Sequence, residues 1–506
     1  MIFLPTLSLP VSLMNEAGMP QRPKEMMPLN TDPPGTAPIG WSFLKIMSRT
    51  VSPIPITFRI VLVFYGCKDT KYSVIICVIC GFFCTFAPKM TKYFTHTLEN
   101  GLRIIHLPSS SQVVYCGYQI AAGTRNEHSG EEGLAHFCEH MTFKGTEKRN
   151  ALQIINALEG VGGELNAFTN KEDTVFYAAI SKEHFAQAVD ILTDIVFHST
   201  YPQHEIDKEV EVICDEIESY NDSPAELIYD EFENILFAGH PLGHNILGKA
   251  EQLRTYTTDD ALRFVHRHYR PDNAIFFAYG DLDFEKLVKR IINEKLEVRN
   301  NDYQTSKDST YKTNQHFSFL ISHSSLDETR IIGTHQAHVM LGTRAYDIHH
   351  PLRIPLYLLN NILGGPGMNA RLNLSLRERH GLVYTVESTM VSYSDTGIWS
   401  VYFGCDPHDV RKCLRLVRRE LDKVMQKPLS ATQLRNAKRQ LKGQIAIACD
   451  NHEQFALDFG KSFLHYGWEK DITHLYESID QVNAEDIQKV ANDLFATDKL
   501  TTLIFQ

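Results

Sequence analysis

The sequence predicts an α+β fold made of two homologous domains in tandem, each an antiparallel-rich sheet packed with helices. Three observations support this prediction. After residue 90, strand-like runs alternate with amphipathic helical runs in the hairpin-rich order typical of α+β domains. The tripeptide Gly123-Thr124-Arg125 returns 219 residues later as Gly342-Thr343-Arg344, each time between a strand-like run and a helical run. A turn followed by a strand closes both halves, at residues 269–278 and 495–505.

The first half begins with a predicted hairpin. Residues 94–106 (FTHTLENGLRIIH) form two strand-like runs around Asn100-Gly101, which is a strong turn signal. Residues 113–122 predict the next strand, and residues 134–144 (LAHFCEHMTFK) predict a helix with an apolar stripe. We expect Ser129 to cap the start of that helix and Gly145 to end it.

The second half repeats this shape with different side chains. A strand is predicted at residues 338–341, and a helix runs to Leu363 ahead of Gly364. When the halves are aligned without gaps, Pro355, Leu358 and Leu359 stand opposite the polar residues of the 134–144 helix. The repeat therefore indicates a duplication whose second copy lacks the chemistry of the first.

The composition and charge of the chain limit the classes of function that it can have. The chain has 506 residues, 43% hydrophobic and 22% charged, which is a globular composition with room for two or three domains. Its net charge of −11 gives no support for nucleic-acid binding. Ten cysteines without dense paired spacing are typical of reduced thiols, so we expect a cytoplasmic location.

Residues 1–89 differ from the rest of the chain, because they carry no sustained period of 2 or 3.6. The apolar run at residues 72–87 is short for a spanning helix and too far along the chain for a signal peptide. Its Cys77, Cys80 and Cys84 lack a nearby His. We interpret the segment as disordered, as an anchor, or as the product of a start codon assigned too far upstream. Residues 90–300 and 317–506 are then the two domains, and the polar residues 301–316 their linker.

The candidate metal-binding and catalytic residues lie in the first half, in the pattern H-x-x-E-H. On a helix, His136, Glu139 and His140 share one face, so that two imidazoles and a carboxylate point into one volume. Two imidazoles one turn apart suit zinc, and the Glu between them can act on a water molecule held by the metal. A chance match is the alternative in a chain with 23 His.

Two other polar patterns, taken alone, are explained by ordinary structural roles. Residues 205–220 predict an amphipathic helix on which Glu209 and Glu216 lie two turns apart on one face, as many solvated acidic helices do. His240 and His244 flank a Pro that argues against a regular helix presenting both, so we predict a structural turn there.

From residue 90 onward, over about 415 residues, the chain resembles the pitrilysin-type (inverzincin) zinc metallopeptidases, the family of insulin-degrading enzyme and the mitochondrial processing peptidase β subunit. The resemblance rests on H-x-x-E-H together with a Glu 76 residues after its second His. It implies that Glu216 joins His136 and His140 on the metal. It also assigns Glu209 to orienting a ligand from the second layer around the zinc.

The resemblance also covers three further stretches. Residues 163–169 (GELNAFT) resemble the family's substrate-binding strand, which implies that Asn166, Ala167 and Phe168 contact substrate. Arg377 and Tyr384, seven apart in a segment that otherwise predicts an Arg-rich helix ending at Gly381, match the pair that the family brings over the zinc. Residues 364–367 (GGPG) resemble the family's glycine-rich loop.

The resemblance implies a zinc metalloendopeptidase that holds one Zn²⁺ per chain and hydrolyses unfolded peptides, with Glu139 as general base. Two domains are half of a four-domain single-chain member, as in the short bacterial members, which implies a homodimeric clamp with Arg377 and Tyr384 acting in trans. A processing peptidase selective for one sequence and a non-catalytic scaffold subunit are the alternatives. Cys138 is either an oxidant-sensitive thiol or a small residue of the buried stripe.

Overall fold

The structure is a computed structural model that describes residues 93–294, 326–467 and 471–506. The N-terminal segment 1–89, with its three clustered cysteines, and the linker 301–316 lie outside the described residues. The boundaries expected for these two segments therefore stay predictions. In the described ranges, no helix is both long enough and apolar enough to cross a membrane.

The first half forms a six-stranded sheet in the order β1-β2-β6-β3-β5-β4, antiparallel except for the parallel pair β2 and β6. Its strands are β1 Phe94–Thr97, β2 Arg103–Pro108, β3 Val113–Ile120, β4 Glu164–Thr169, β5 Thr174–Ser181 and β6 Ala274–Gly280. Its helices are α1 Leu134–Thr142, α2 Ala151–Glu159, α3 Phe185–His198, α4 Gln203–Asn221, α5 Pro224–Leu236, α6 Ala250–Leu253, α7 Thr258–His268 and α8 Phe284–Asn293. The strand β4 lies at one edge of this sheet.

The second half forms a five-stranded sheet in the order β7-β11-β8-β10-β9. Its strands are β7 Asp327–Arg330, β8 Ala337–Ala345, β9 Val383–Ser392, β10 Gly397–Cys405 and β11 Thr501–Phe505. Its helices are α9 Arg353–Gly364, α10 Val410–Gln426, α11 Ala431–Ala448, α12 His452–Tyr466, α13 Ile472–Gln481 and α14 Ala484–Leu494. Two sheets, each packed with helices, confirm the predicted α+β class.

The opening hairpin is confirmed. β1 pairs antiparallel with β2, with Phe94 opposite His106. Between the strands, the Asn100 side chain accepts a hydrogen bond from the Leu102 amide at 3.2 Å, and Gly101 adopts a left-handed φ of 88°. This turn chemistry explains why Asn-Gly gives so clear a signal.

The repeated tripeptide does not adopt the same conformation twice. Gly123 precedes a 3₁₀ turn, Thr124–Asn126, that leads away from β3. Gly342 instead lies inside β8, opposite Ser400 of β10 and Thr501 of β11. The second copy therefore extends its strand past the point where the first copy leaves the sheet. Pro355, Leu358 and Leu359 lie on α9, where all three are buried.

Each half lends a helix to the sheet of the other half. α12 of the second half packs on β3 and β6 of the first sheet, where Phe459 meets Phe277 and Tyr93. α5 of the first half packs on β8 and β11, where Phe232 joins a buried cluster with Leu503. This exchange covers the sheet faces that each half's own helices leave open. Because it depends on contacts between distant segments, the sequence pattern does not predict it.

Candidate metal centre and active site

The metal-binding pattern is assembled by two packed helices. His136 and His140 lie one turn apart on α1, with ring centroids 4.6 Å apart, and Glu216 approaches from α4. Glu216 Oε2 lies 3.5 Å from His140 Nε2 and 3.9 Å from His136 Nε2. One donor atom from each of the three residues falls within 4.8 Å of the others. The helix α4 that carries Glu216 spans the predicted residues 205–220.

The three donors fit a zinc ion. Donors about 2.0–2.1 Å from a tetrahedral metal lie about 3.4 Å from one another, close to the separations seen here. Burial, reinforced by the charge of His140, lowers the pKa of His136 to about 3, so its imidazole is neutral near pH 7. A neutral imidazole is the form that coordinates metal. The Glu216 side chain is 45% exposed, which leaves one side of the cluster open to solvent.

Glu209, on α4, contacts the side of the His140 ring that faces away from Glu216. Its Oε1 is 3.0 Å from His140 Nδ1, and its Oε2 is 2.5 Å from Lys144 Nζ. Burial alone would lower the pKa of His140, but the hydrogen bond with Glu209 and the nearby carboxylates raise it. Glu209 thus fixes the ring orientation and leaves Nε2 facing Glu216, the arrangement by which a second-layer carboxylate tunes a metal ligand.

Glu139 lies between the two histidines and is 7% exposed. Burial, together with the charge of Glu216, raises the pKa of Glu139 to about 7, while the Thr169 hydroxyl and His140 act in the opposite direction. The Thr169 hydroxyl donates a 2.6 Å hydrogen bond to Glu139 Oε2. This carboxylate is therefore held in one orientation and is poised to exchange a proton near neutral pH.

Thr169 is a site residue that sequence reasoning missed. It ends β4, and the resemblance covered it only as the last letter of the substrate strand. Thirty residues separate it from Glu139, so no local pattern connects the two. The only sequence signal for this contact was the resemblance, which required the substrate strand to end close to α1.

The cap of α1 corrects two expectations. Ser129 does not cap the helix. Instead the buried Glu127 carboxylate accepts hydrogen bonds from the amides of Gly133 at 3.0 Å and Ala135 at 2.7 Å. Gly133, at φ 89°, is the residue before the helix, where a side chain would clash with Gly248. Gly145 does not end the helix either, because α1 stops at Thr142 and Gly145 instead forms a bridge with Asn150.

The second histidine pair forms a turn, as predicted. The amide of Gly243 donates to the carbonyl of His240 at 2.9 Å. His244 Nε2 lies 2.9 Å from Glu127 Oε2, and His240 Nε2 lies 3.4 Å from Asp395 Oδ2. His244 therefore holds Glu127, the residue that caps α1. The sequence did not predict this role.

The predicted substrate strand lies where a peptide can reach it. β4 is the edge strand, paired on one side with β5, and it contacts α1. Asn166 is exposed, while Ala167 and Phe168 are half-buried. An edge strand presents unpaired amides and carbonyls along its free side.

Arg377 and Tyr384 are brought to each other but not to the metal cluster. Arg377 lies in a π-helical turn, Asn373–Glu378, rather than in a regular helix that continues to Gly381, and Tyr384 lies in β9. The guanidinium stands 5.6 Å from the centre of the Tyr384 ring, and Tyr384 is 81% exposed. Across residues 93–294, 326–467 and 471–506, no hydrogen bond or ion pair joins either residue to His136, His140 or Glu216.

Cys138 packs as a small buried residue. Its side chain is fully buried on α1, and its Sγ lies 3.9 Å from the carbonyl of Ala261. Burial raises the pKa of this thiol well above its usual value, so little reactive thiolate forms near neutral pH.

Comparisons with known proteins show the family to which the chain is similar. The insulinase (peptidase family M16) model matches residues 104–250, and the peptidase M16 inactive-domain model matches residues 255–441. An uncharacterized zinc protease of Bacillus subtilis, YmxG, is 31% identical over 81% of this chain and 97% of its own length. An uncharacterized zinc protease of Streptomyces coelicolor is 32% identical over 79% of this chain and 86% of its own length.

Solved structures share the fold. A Helicobacter pylori protease matches with a TM-score of 0.73 and 20% identity, covering 82% of this chain and all of its own. A peptidase M16 inactive domain from Pseudomonas fluorescens matches with a TM-score of 0.69 and 18% identity, over 82% of this chain and 97% of its own. With two family models and relatives above 30% identity, the chain belongs to peptidase family M16, the insulinase-type zinc proteases.

Proposed function

We propose that this protein is a zinc endopeptidase that cleaves unfolded peptides, with His136, His140 and Glu216 as the zinc ligands. The observation that carries the proposal is the convergence of two imidazole nitrogens and a carboxylate oxygen within 4.8 Å of one another, beside the buried carboxylate of Glu139. Three protein ligands with an open side are typical of catalytic rather than structural zinc sites.

In the proposed reaction, the metal and the side chains of the protein have separate roles. When bound, zinc supplies Lewis-acid polarisation and acidifies a water molecule. Glu139 takes the proton from the water as its oxygen attacks the scissile carbonyl carbon, and then gives that proton to the leaving amine nitrogen as the C–N bond breaks. Thr169 holds the Glu139 carboxylate in place through its 2.6 Å hydrogen bond during both transfers.

Substrate binding is assigned to the free edge of β4. A peptide that adds to this edge as an extra strand is held by main-chain hydrogen bonds, with Asn166, Ala167 and Phe168 lining its path. Such pairing requires an extended chain and has little sequence preference. This mode of binding therefore favours unfolded peptides in general over substrates that carry one particular recognition sequence.

Cleavage of matched folded and unfolded substrates tests this function. We expect the zinc-loaded protein to cut a reduced, alkylated polypeptide at several sites and to leave its disulfide-intact folded form uncut, with activity abolished by a chelator and restored by zinc. Cleavage at one site only would instead favour a processing peptidase. Zinc binding without any cleavage would favour the scaffold alternative.

Arg377 and Tyr384 are assigned to the substrate bound at the other copy of a homodimer. Their side chains are paired with each other and Tyr384 is exposed, so both are available to a partner. In this arrangement the Tyr384 hydroxyl stabilises the developing oxyanion and Arg377 fixes the substrate backbone.

Mixing two inactive variants tests the action in trans. Glu139→Gln and Tyr384→Phe each impair every site of their own homodimer. In a mixed dimer, however, one site combines an intact Glu139 with the partner's intact Tyr384. After subunit exchange we expect about one quarter of wild-type activity to return. If native mass spectrometry shows mixed dimers and no activity returns, Tyr384 does not act in trans.

Replacing Thr169 tests the orientation of Glu139. Thr169→Val is expected to lower kcat/KM about tenfold to a hundredfold, the effect of losing a hydrogen bond to a charged group. Because this hydrogen bond lowers the pKa of Glu139, its loss should also shift the acid limb of the pH–rate profile to higher pH. Thr169→Ser should retain both values. An unshifted profile in Thr169→Val would show that the hydroxyl does not act on Glu139.

A further inference from the structure

One segment of the second half carries a local excess of positive charge. Residues 410–448, which span α10 and α11, hold eleven Lys and Arg against two Asp and Glu, in a chain whose net charge is −11. α11 itself contains no acidic residue. Such segregation creates a local positive potential that a uniformly acidic surface would not have.

Four of these cations share one face of α11 and line a groove against α13. Arg435, Lys438, Arg439 and Lys442 follow one another at helical spacing, and the groove they line has a volume of about 550 Å³. Leu434 lines part of the same groove. The groove is therefore concave, cationic and partly apolar.

The groove holds more positive charge than its own acid can balance. Asp480 is its one lining carboxylate, and it is engaged by Lys442 Nζ at 2.8 Å, while its backbone carbonyl accepts from Lys438 Nζ at 2.7 Å. Arg435 and Arg439 are exposed, and no ion pair or hydrogen bond of their side chains is found among the described residues. Partial burial lowers the pKa of Lys438, with Lys442 adding to the effect.

We propose that this groove is an exosite, a binding site away from the reaction centre, for an acidic segment of the polypeptide substrate. The four cations extend over eight residues of helix, about 11 Å from the first to the last. Alternate side chains of an extended peptide repeat every 6.4–6.8 Å or so, which lets two carboxylates on one side of the peptide contact the four cations. Guanidinium groups such as those of Arg435 and Arg439 bind carboxylates in bidentate fashion.

Charge also argues against the chain's own N-terminal segment as the occupant. Residues 1–89 carry eight Lys and Arg against four Asp and Glu, so they would be repelled rather than attracted. A concave groove likewise fits a chain better than it fits a flat lipid surface. An acidic peptide is the occupant that both the charge and the shape favour.

This inference rests on the proposed peptidase function. Binding at a site remote from the scissile bond raises the affinity for an acidic substrate without changing the chemical step. A substrate with clustered carboxylates should therefore show a lower KM than its neutral counterpart, with a similar kcat.

Measuring peptide binding to an inactive variant separates the exosite proposal from the peptidase proposal. The full-length Glu139→Gln protein is titrated with a fluorescent peptide of alternating glutamates and with its glutamine counterpart. We expect the acidic peptide to bind at least tenfold more tightly at low salt and to lose that advantage as salt is added. Adding Arg435→Gln and Arg439→Gln should weaken acidic binding about tenfold. The matched control, Lys286→Gln with Lys289→Gln on exposed α8, should leave it unchanged.

Each result decides the proposal. Equal affinity for both peptides, or equal loss in both double variants, overturns the exosite, because general attraction by net charge would then explain the data. A change of oligomeric state in Arg435→Gln/Arg439→Gln, with peptide affinity retained, assigns the groove to contact between copies and also overturns it. If acidic peptides bind selectively but the wild-type protein cuts nothing, the groove stands and the peptidase proposal fails.

Discussion

Glu139→Gln is expected to lower kcat by about 10²–10⁴-fold, the usual contribution of a general acid–base group. The amide has nearly the same shape as the carboxylate but cannot accept the proton of the attacking water. Glu139 is absent from the set of converging donors, which consists of His136, His140 and Glu216. The variant should therefore bind zinc as the wild type does, so that the loss is one of chemistry and not of metal.

The matched control for this prediction is Glu285→Gln, on the exposed first turn of α8. Both variants remove one carboxylate, but only Glu139 lies beside the metal cluster. Initial rates and zinc content are measured for the two proteins side by side. Comparable activity of Glu139→Gln and the wild type, at equal zinc content, would remove Glu139 from the proposed mechanism.

Asp173→Asn is expected to destabilise the fold by about 2–4 kcal/mol, because it leaves a desolvated cation without its partner. Asp173 is fully buried immediately before β5, 2.8 Å from Lys461 Nζ and 3.5 Å from His465 Nε2. Both Lys461 and His465 lie on α12, the helix that the second half contributes to the first sheet. The Lys461 side chain is 29% exposed, so water compensates part of the loss.

Urea unfolding of Asp173→Asn is compared with that of Asp281→Asn. Asp281 forms an ion pair of similar length with Lys182, 2.7 Å, but its side chain is 52% exposed. An exposed pair contributes about 0–1 kcal/mol, so the control should be nearly as stable as the wild type. Equal effects of the two substitutions would show that the Asp173 pair does not fasten α12 to the first sheet.

The same carboxylate gives stability a pH dependence. Burial alone would raise the pKa of Asp173, but Lys461 and His465 lower it well below the usual value. A carboxyl with a lowered pKa in the folded state contributes stability above its unfolded pKa of about 3.9, and that contribution is lost as pH falls further. Wild type should therefore lose stability more steeply than Asp173→Asn as the pH falls below about 4.

Periodic patterns in the sequence predicted much of the fold. The spacing of His136, Glu139 and His140 placed three polar groups on one helical face, and the structure brings Glu216 and Glu209 to that face from α4. The hairpin at Asn100 and the duplicated closing strands followed from equally local signals. In each case neighbouring residues determine the conformation, so the local pattern is sufficient.

The features that sequence reasoning missed all depend on distant contacts. Ser129 is a good capping residue by type, but Glu127 reaches the helix amides because His244 and the burial around it hold it there. Thr169 meets Glu139 only once β4 packs on α1. The exchange of α5 and α12 between the halves likewise follows from exposed sheet faces and not from any periodic pattern.

The metal centre is tested most directly by zinc content together with zinc-edge X-ray absorption on the purified full chain. We predict one zinc per chain with nitrogen and oxygen donors at about 2.0–2.2 Å. The metal should be retained by Glu139→Gln and lost or greatly weakened in Glu216→Gln. A wild-type protein without zinc, or one with sulfur donors, would contradict the account. Undiminished zinc binding when His140 and Glu216 are both replaced would contradict it as well.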